Sequence, residues 1–244
     1  MKAMILAAGL GTRLRPLTDQ RPKALVEIGG KTLLEINIRR LKEAGFNELI
    51  INVHHHAQQI MDFVKKNKAF GLRIAFSVEE QLLDTGGGVK KARWFFEDCD
   101  AFLVHNVDVL TDMDYTNLFE NLKETRALAC LAVRQRDTQR YLLFDDRLAL
   151  GGWQNIQSGE KRIMVEDNRP LKPYSFMGVQ VLSSAIFDFF PAETKFSLIE
   201  AYLQLAAQKQ KVCAVIEQQA RWLDVGKKGS LLEAELLFAD WLKK

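Results

Sequence analysis

The chain has 244 residues, 48% of them hydrophobic, and its 34 Lys and Arg against 31 Asp and Glu leave a formal charge of +3. That is enough apolar material for one large or two small packed domains, and a charge so nearly cancelled, without a block of like residues, argues against a nucleic-acid-binding surface. The longest apolar run, residues 127–133, is too short for a membrane span, so no membrane partner is expected.

In chain order, residues 2–7 read as a buried strand. The apolar start imitates a leader peptide but stops at Gly9, with Arg13 and Arg15 close behind. Next come a helix over 32–44, a strand over 48–53, a helix over 57–66, a strand over 72–78, a helix over 89–96 and a strand over 101–106. This rhythm predicts an α/β fold, a Rossmann-like three-layer sandwich with a mostly parallel central sheet, because parallel strands need long crossover connections. After a strand at 127–133, segment 135–173 is rich in charge, glycine and turn residues and is expected to form an excursion from that sheet. Order resumes with a strand over 175–182, helices around Ile186 and Leu198, a strand over 211–216 and a helix over 230–241. Ser or Thr precedes Glu by three residues at Thr32/Glu35, Ser197/Glu200 and Ser230/Glu233, which predicts three capped helix starts, and Gly45 marks a helix end. No linker or repeat interrupts residues 1–244, read as a single domain. Cys99, Cys130 and Cys213 are widely spaced and form no Cys-x-x-Cys pair, so neither a disulfide framework nor a zinc site is expected, and a reducing cytoplasm suits them.

The most informative stretch follows the first strand: Ala8, Gly9, Leu10, Gly11, Thr12, Arg13, Leu14, Arg15, Pro16, Leu17, Thr18. Small residues let a ligand approach the backbone, glycines let amides point at phosphate oxygens, and Arg13 brings a charged fork to an anion. Leu14 stands where a dinucleotide fingerprint needs its third glycine, and no Gly-Lys-Ser/Thr follows for a Walker loop. On the glycines alone, an ordinary βα turn remains equally open. Glu79 ends a sheet strand, where open α/β sheets place their ligands, and is a candidate acceptor toward a nucleotide base. His54, His55 and His56 end a strand, where successive side chains alternate faces, so a polar strand end is favoured over a metal site. Trp94, Trp153 and Trp241 are expected to pack core or interface surface, and Glu80 and Asp84 to lie in a solvated loop.

Further residues bear on the turn. Gly9, Gly11, Thr12, Arg13, Pro16, Thr18, Pro22, Lys23, Leu25, Gly30 and Lys31 together closely resemble the signature of the sugar-1-phosphate nucleotidylyltransferase family. Asp84-Thr85-Gly86-Gly87-Gly88 resembles the family's glycine turn beside base and sugar, Asn106 and Asp108 its metal-binding strand end, Gly178 its sugar-side glycine, and Asp224 its second metal-binding Asp. Two departures stand out: Ala24 replaces a usual second proline, and Val107 replaces the usual glycine before Asp108. Among branches of the family, the short length and triple glycine are most similar to the uridylyltransferases acting on N-acetylmuramate 1-phosphate in peptidoglycan recycling.

The resemblance implies the nucleotide-diphospho-sugar transferase fold and an enzyme that joins a sugar 1-phosphate to a nucleoside triphosphate, giving nucleotide sugar and pyrophosphate. It implies nucleotide contacts from Ala8, Gly9, Gly11, Thr12, Arg13, Lys23, Glu79 and Gly87, and sugar contacts from Gly88, Asn106 and Gly178. Asp108 and Asp224 are implied as ligands of Mg²⁺, with Arg13 and Lys23 as the catalytic cations. UTP with N-acetylmuramate 1-phosphate or a similar hexose 1-phosphate is the first expectation; a mannose-1-phosphate guanylyltransferase using GTP, or a catalytically silent regulatory homologue, is the alternative. A dehydrogenase-like dinucleotide binder is disfavoured by the missing third glycine. Oligomeric state is not legible.

Overall fold

The computed structural model describes residues 1–166, 169–226 and 229–242. They form two compact units, one of 1–84, 104–113, 220–226 and 229–242, the other of 85–103, 114–166 and 169–219.

The first unit is built on parallel strands, as the chain rhythm predicts. Lys2–Leu6 pairs in parallel with Glu48–Val53, which pairs in parallel with Arg73–Val78. The end of Ala101–Asn106 borders Lys2–Leu6 on the other side. The first crossover helix, Leu33–Glu43, buries Leu33, Leu34, Ile36, Ile38 and Leu41. Its start is capped as predicted, with Thr32 accepting the Glu35 N–H at 3.1 Å. Its end is a Schellman turn: the Gly45 N–H donates to Lys42 and the Phe46 N–H to Leu41, with Gly45 at φ +86°. The second crossover helix, Ala57–Lys66, has the predicted bounds. His54 contacts the Glu79 carbonyl through Nδ1 at 2.8 Å, while His56 takes a left-handed backbone as the cap of this helix, so these two histidines serve separate local roles.

Two short antiparallel strands, Val109–Thr111 and Trp222–Asp224, bring the distant C-terminal segment into the same unit. The following helix runs Gly229–Leu237, so Ser230 is its second described residue rather than its cap, and a separate turn of helix occupies Ala239–Leu242. Phe238 between them is fully buried in a cluster with Leu14, Val26, Ile28, Leu110, Leu223 and Val225. Trp241 stacks near Phe238 and under the Arg40 guanidinium, as a packing role requires.

The second unit is largely antiparallel. Lys172–Ser183 pairs with Ala129–Arg134 on one side and Arg140–Phe144 on the other, and Ala129–Arg134 pairs in parallel with Val212–Ile216. Within segment 135–173 the described residues form an antiparallel meander, Arg140–Phe144, Leu150–Asn155 and Lys161–Ile163, with Arg140–Phe144 paired to the start of Lys172–Ser183. Its glycines conceal the strand pattern because they serve close approach: a Cβ on Gly152 would lie 2.5 Å from the Arg162 carbonyl. A register shift between Phe176 and Gln180 places Gly178, at φ +77°, in a bulge.

The helix expected over 89–96 begins earlier, as Asp84–Lys91, followed by a 3-10 turn at Arg93–Phe96. Three consecutive glycines oppose helix formation on propensity alone. Packing reverses this, since a Cβ on Gly86 would lie 2.3 Å from the Phe196 ring, and the Gly86 and Gly87 N–H groups both donate to the Phe196 carbonyl. Ser197 caps Leu198–Ala207 through the Ile199 N–H, while Glu200 pairs with Arg162 instead of completing a capping box. Trp94 is 55% exposed and is not a core residue. None of the three cysteines is in a disulfide. No helix among the described residues is long and apolar enough to cross a membrane.

Candidate functional site

The loop after the first strand is fixed from beneath. The Ala7 N–H donates to Asn52 Oδ1 at 2.7 Å, and the Val107 N–H donates to the Leu6 carbonyl at 3.1 Å. Ala8 is buried, whereas Gly9, Thr12 and Arg13 are exposed. Gly11 sits at φ +65°, and its carbonyl accepts from the Leu14 N–H and the Thr18 hydroxyl. A Cβ there would meet Thr18 at 3.0 Å and Lys23 at 3.1 Å, so the backbone favours glycine and the packing reinforces it. Buried Leu14 pins the far side of the loop into the core, leaving Arg13 outward.

Lys23 opens the 3-10 turn Lys23–Leu25, closed by the Leu25 N–H to Pro22 and the Val26 N–H to Lys23. This turn forms without the usual second proline, with Ala24 fully buried in its place. Lys23 Nζ is ion-paired with Asp108 Oδ2. Asp108 is tied to the second acidic position through the backbone. Its carbonyl accepts the Val225 N–H at 2.7 Å, and Asp224 registers against Val109. Two carboxylates 116 positions apart in sequence (224 − 108) thus stand on adjoining backbone. Arg13 joins them, because a Cβ on buried Gly226 would lie 2.7 Å from both an Arg13 guanidinium nitrogen and Asp224 Oδ1.

Val107 is buried and takes no left-handed backbone, so a side chain fits where the family pattern has glycine. Asn37 clamps this turn from the first crossover helix, donating to the Val107 and Leu33 carbonyls at 2.9 and 3.0 Å. Asn106 is half-buried and its carbonyl receives His105 Nδ1 at 2.9 Å. Burial lowers the His105 pKa to about 4 even though that hydrogen bond and the Asp108 charge favour its protonation.

Glu79 is 2% exposed and differs from the open acceptor expected of it. Its Oε1 accepts from Asn52 Nδ2 at 2.7 Å and its Oε2 from the Leu83 N–H at 3.0 Å. Through Asn52 it is coupled to the Ala7 amide, so it braces the loop. Asn37 and Asn52 escape the sequence reading; the available signal was a lone amide within each apolar pattern, LLEINI and ELIINV. In the second unit Gly87 and Gly88 are buried within Asp84–Lys91, and the Gly87 amide is engaged by Phe196 rather than open to a base. Gly178 occupies the bulge described above.

A glycine-rich turn presenting a guanidinium, a lysine paired with one carboxylate and a second carboxylate beside it form a set suited to polyphosphate oxygens. The Nucleotidyl transferase family is matched over residues 2–240. The chain belongs to that family. N-acetylmuramate alpha-1-phosphate uridylyltransferase of Neisseria meningitidis serogroup B is 33% identical over 244 residues, 99% of this chain and 100% of its own length. D-glycero-alpha-D-manno-heptose 1-phosphate guanylyltransferase of Campylobacter jejuni is 31% identical over 93% of this chain and 95% of its own. Among solved structures, HddC from Yersinia pseudotuberculosis complexed with GMP-PN matches with a TM-score of 0.77 and 25% identity, covering 96% of this chain and 97% of that one. The fold is that of the nucleotide-diphospho-sugar transferases, and the chain is an enzyme of the sugar-1-phosphate nucleotidylyltransferase class.

Proposed function

We propose that the enzyme transfers a uridylyl group from UTP to N-acetylmuramate 1-phosphate, or a closely similar hexose 1-phosphate. The observation that carries the reading is the convergence of Arg13, Asp224 and the Lys23–Asp108 pair around the glycine loop. The full-length likeness to the Neisseria uridylyltransferase selects base and sugar. The family match runs through both units, which supports reading residues 1–244 as one nucleotidyltransferase domain.

In this reaction a phosphate oxygen of the sugar 1-phosphate attacks the α-phosphorus of the triphosphate. One P–O bond forms as the bond to pyrophosphate breaks, and pyrophosphate carries away the electron pair. Such a transfer asks a protein for positioning and positive charge rather than for a side-chain nucleophile. Arg13 holds the outer phosphates, and Lys23 neutralises charge at the α-phosphate as it accumulates. Amides around Gly9, Gly11 and Thr12 complete the phosphate cradle, and Ala8 lets the base approach the backbone. Glu79 acts through Asn52, holding Ala7 in place. Gly88, Asn106 and Gly178 are assigned to the sugar. Asp108 and Asp224 are hard oxygen donors on adjoining backbone, a set that fits Mg²⁺, and they are the residues that would hold it. The ion supplies phosphate charge neutralisation when bound.

A guanylyl reading is favoured by the Campylobacter guanylyltransferase at 31% identity and by mannose-1-phosphate guanyltransferase of Yarrowia lipolytica at 29%. Pyrophosphate release from UTP, GTP, dTTP, CTP and ATP, each paired with muramate-, glucosamine-, glucose- and mannose-type 1-phosphates, decides between them. A preference for GTP above tenfold, about 1.4 kcal/mol, would replace the uridylyl assignment. Silence on every pair would leave a regulatory homologue.

A further inference from the structure

The second unit contains a cavity of about 330 Å³ whose walls include Tyr141, Trp153 and Phe176 and whose charged groups are Arg136, Arg140 and Glu200. It is near the lower end of small-ligand pockets in size, and it combines aromatic walls with few charged groups, as such pockets do. Glu200 is bound bidentately by Arg162, at 2.8 and 2.9 Å, so its charge is already answered. Arg136 is oriented by Nε donation at 2.8 Å to the hydroxyl of Ser175, which is 1% exposed. No carboxylate among the described residues pairs with Arg140. Strand geometry supports the arrangement: Leu142, also in the wall, registers directly against Trp153, and Phe176 lies two residues before the Gly178 bulge assigned to the sugar.

An aromatic-walled pocket of this size with the Arg140 guanidinium in its lining suits one sugar ring bearing a negative substituent, because guanidinium forks match carboxylates in geometry as well as charge. We propose that this cavity receives the acceptor sugar and that Arg140, with Arg136 beside it, selects hexosamine 1-phosphates whose ring substituent bears a carboxylate. The proposal rests on the sugar-1-phosphate reading above and adds to it the residues that read the sugar's substituent. Arginine is the discriminating element, since its guanidinium fork pairs with a carboxylate that an uncharged sugar does not offer.

The test compares kcat/KM for N-acetylmuramate 1-phosphate with that for N-acetylglucosamine 1-phosphate, which lacks the carboxylate, in the wild type, Arg140→Gln, Arg140→Lys and Arg136→Gln. The wild type prefers the carboxylated sugar, and in Arg140→Gln the ratio of the two values falls by on the order of tenfold to a hundredfold. Arg140→Lys keeps part of the preference, and Arg136→Gln loses part of it. If Arg140→Gln lowers both values equally, the guanidinium serves the shared 1-phosphate or the fold, and the proposal is overturned. A wild type indifferent to the carboxylate overturns it as well. A wild type that turns over neither sugar but accepts another 1-phosphate overturns the carboxylate selection alone; one that accepts none overturns the nucleotidyl-transfer reading and this proposal together.

Discussion

Gly226→Ala separates site geometry from stability. Gly226 has no left-handed φ, so alanine adds no backbone strain there. Its Cβ, however, would stand 2.7 Å from an Arg13 guanidinium nitrogen and from Asp224 Oδ1. Ordinary contact begins at about 3.5 Å, so each group must withdraw by roughly 0.8 Å. Arg13 is exposed and its guanidinium is the far end of a flexible chain, so withdrawal costs the fold little. A stability loss of about 1 kcal/mol or less follows, a fall in Tm of roughly 2–4 °C at this size. Catalysis is less tolerant, since a displacement near 1 Å in a positioned group can cost on the order of a hundredfold in rate, about 2.7 kcal/mol of transition-state stabilisation. Steady-state pyrophosphate release and a calorimetric Tm on the same preparation measure the two effects. Activity within twofold of wild type at unchanged Tm would show that neither Arg13 nor Asp224 needs its observed position. A large Tm loss would show that Gly226 is required for packing instead.

Asp108→Asn and Asp224→Asn are each expected to abolish most turnover at near-native Tm, and excess EDTA to silence the wild type; full activity in either variant would remove that carboxylate from the metal assignment. Lys23→Ala should lower kcat by about a hundredfold or more, while Arg13→Ala should chiefly raise KM for the triphosphate; equal small effects would mean the triphosphate lies elsewhere. His105, whose pKa falls from 6.5 to about 4 on folding, contributes stability that is complete above pH 6.5 and is lost as pH falls toward 4, at most roughly 3 kcal/mol in all. Unfolding free energies measured from about pH 8 to about pH 4 should therefore drop more steeply in the wild type than in His105→Gln, and parallel profiles would contradict the burial argument.

What the amino-acid sequence determined by itself was local. The Thr32 cap, the Gly45 turn, the helix 57–66 and the strands 48–53 and 101–106 follow from side chains and periodicity within a dozen residues, and folding leaves such preferences in place. The glycine-rich loop was legible for the same reason, since the left-handed turn at position 11 favours glycine. Tertiary structure decided the rest. Packing against Phe196 made a helix of three glycines, and close strand approach at Gly152 made paired strands of residues that read as loops. Glu79 shows the limit most plainly. Its place at a strand end was readable, but whether its carboxylate faced a ligand or a neighbour depended on Asn52, 27 residues away in sequence and 2.7 Å away in space. The pairing of Lys23 with Asp108, and of Asp108 with the Asp224 strand, has the same origin: sheet topology, not local preference, sets which distant charges meet.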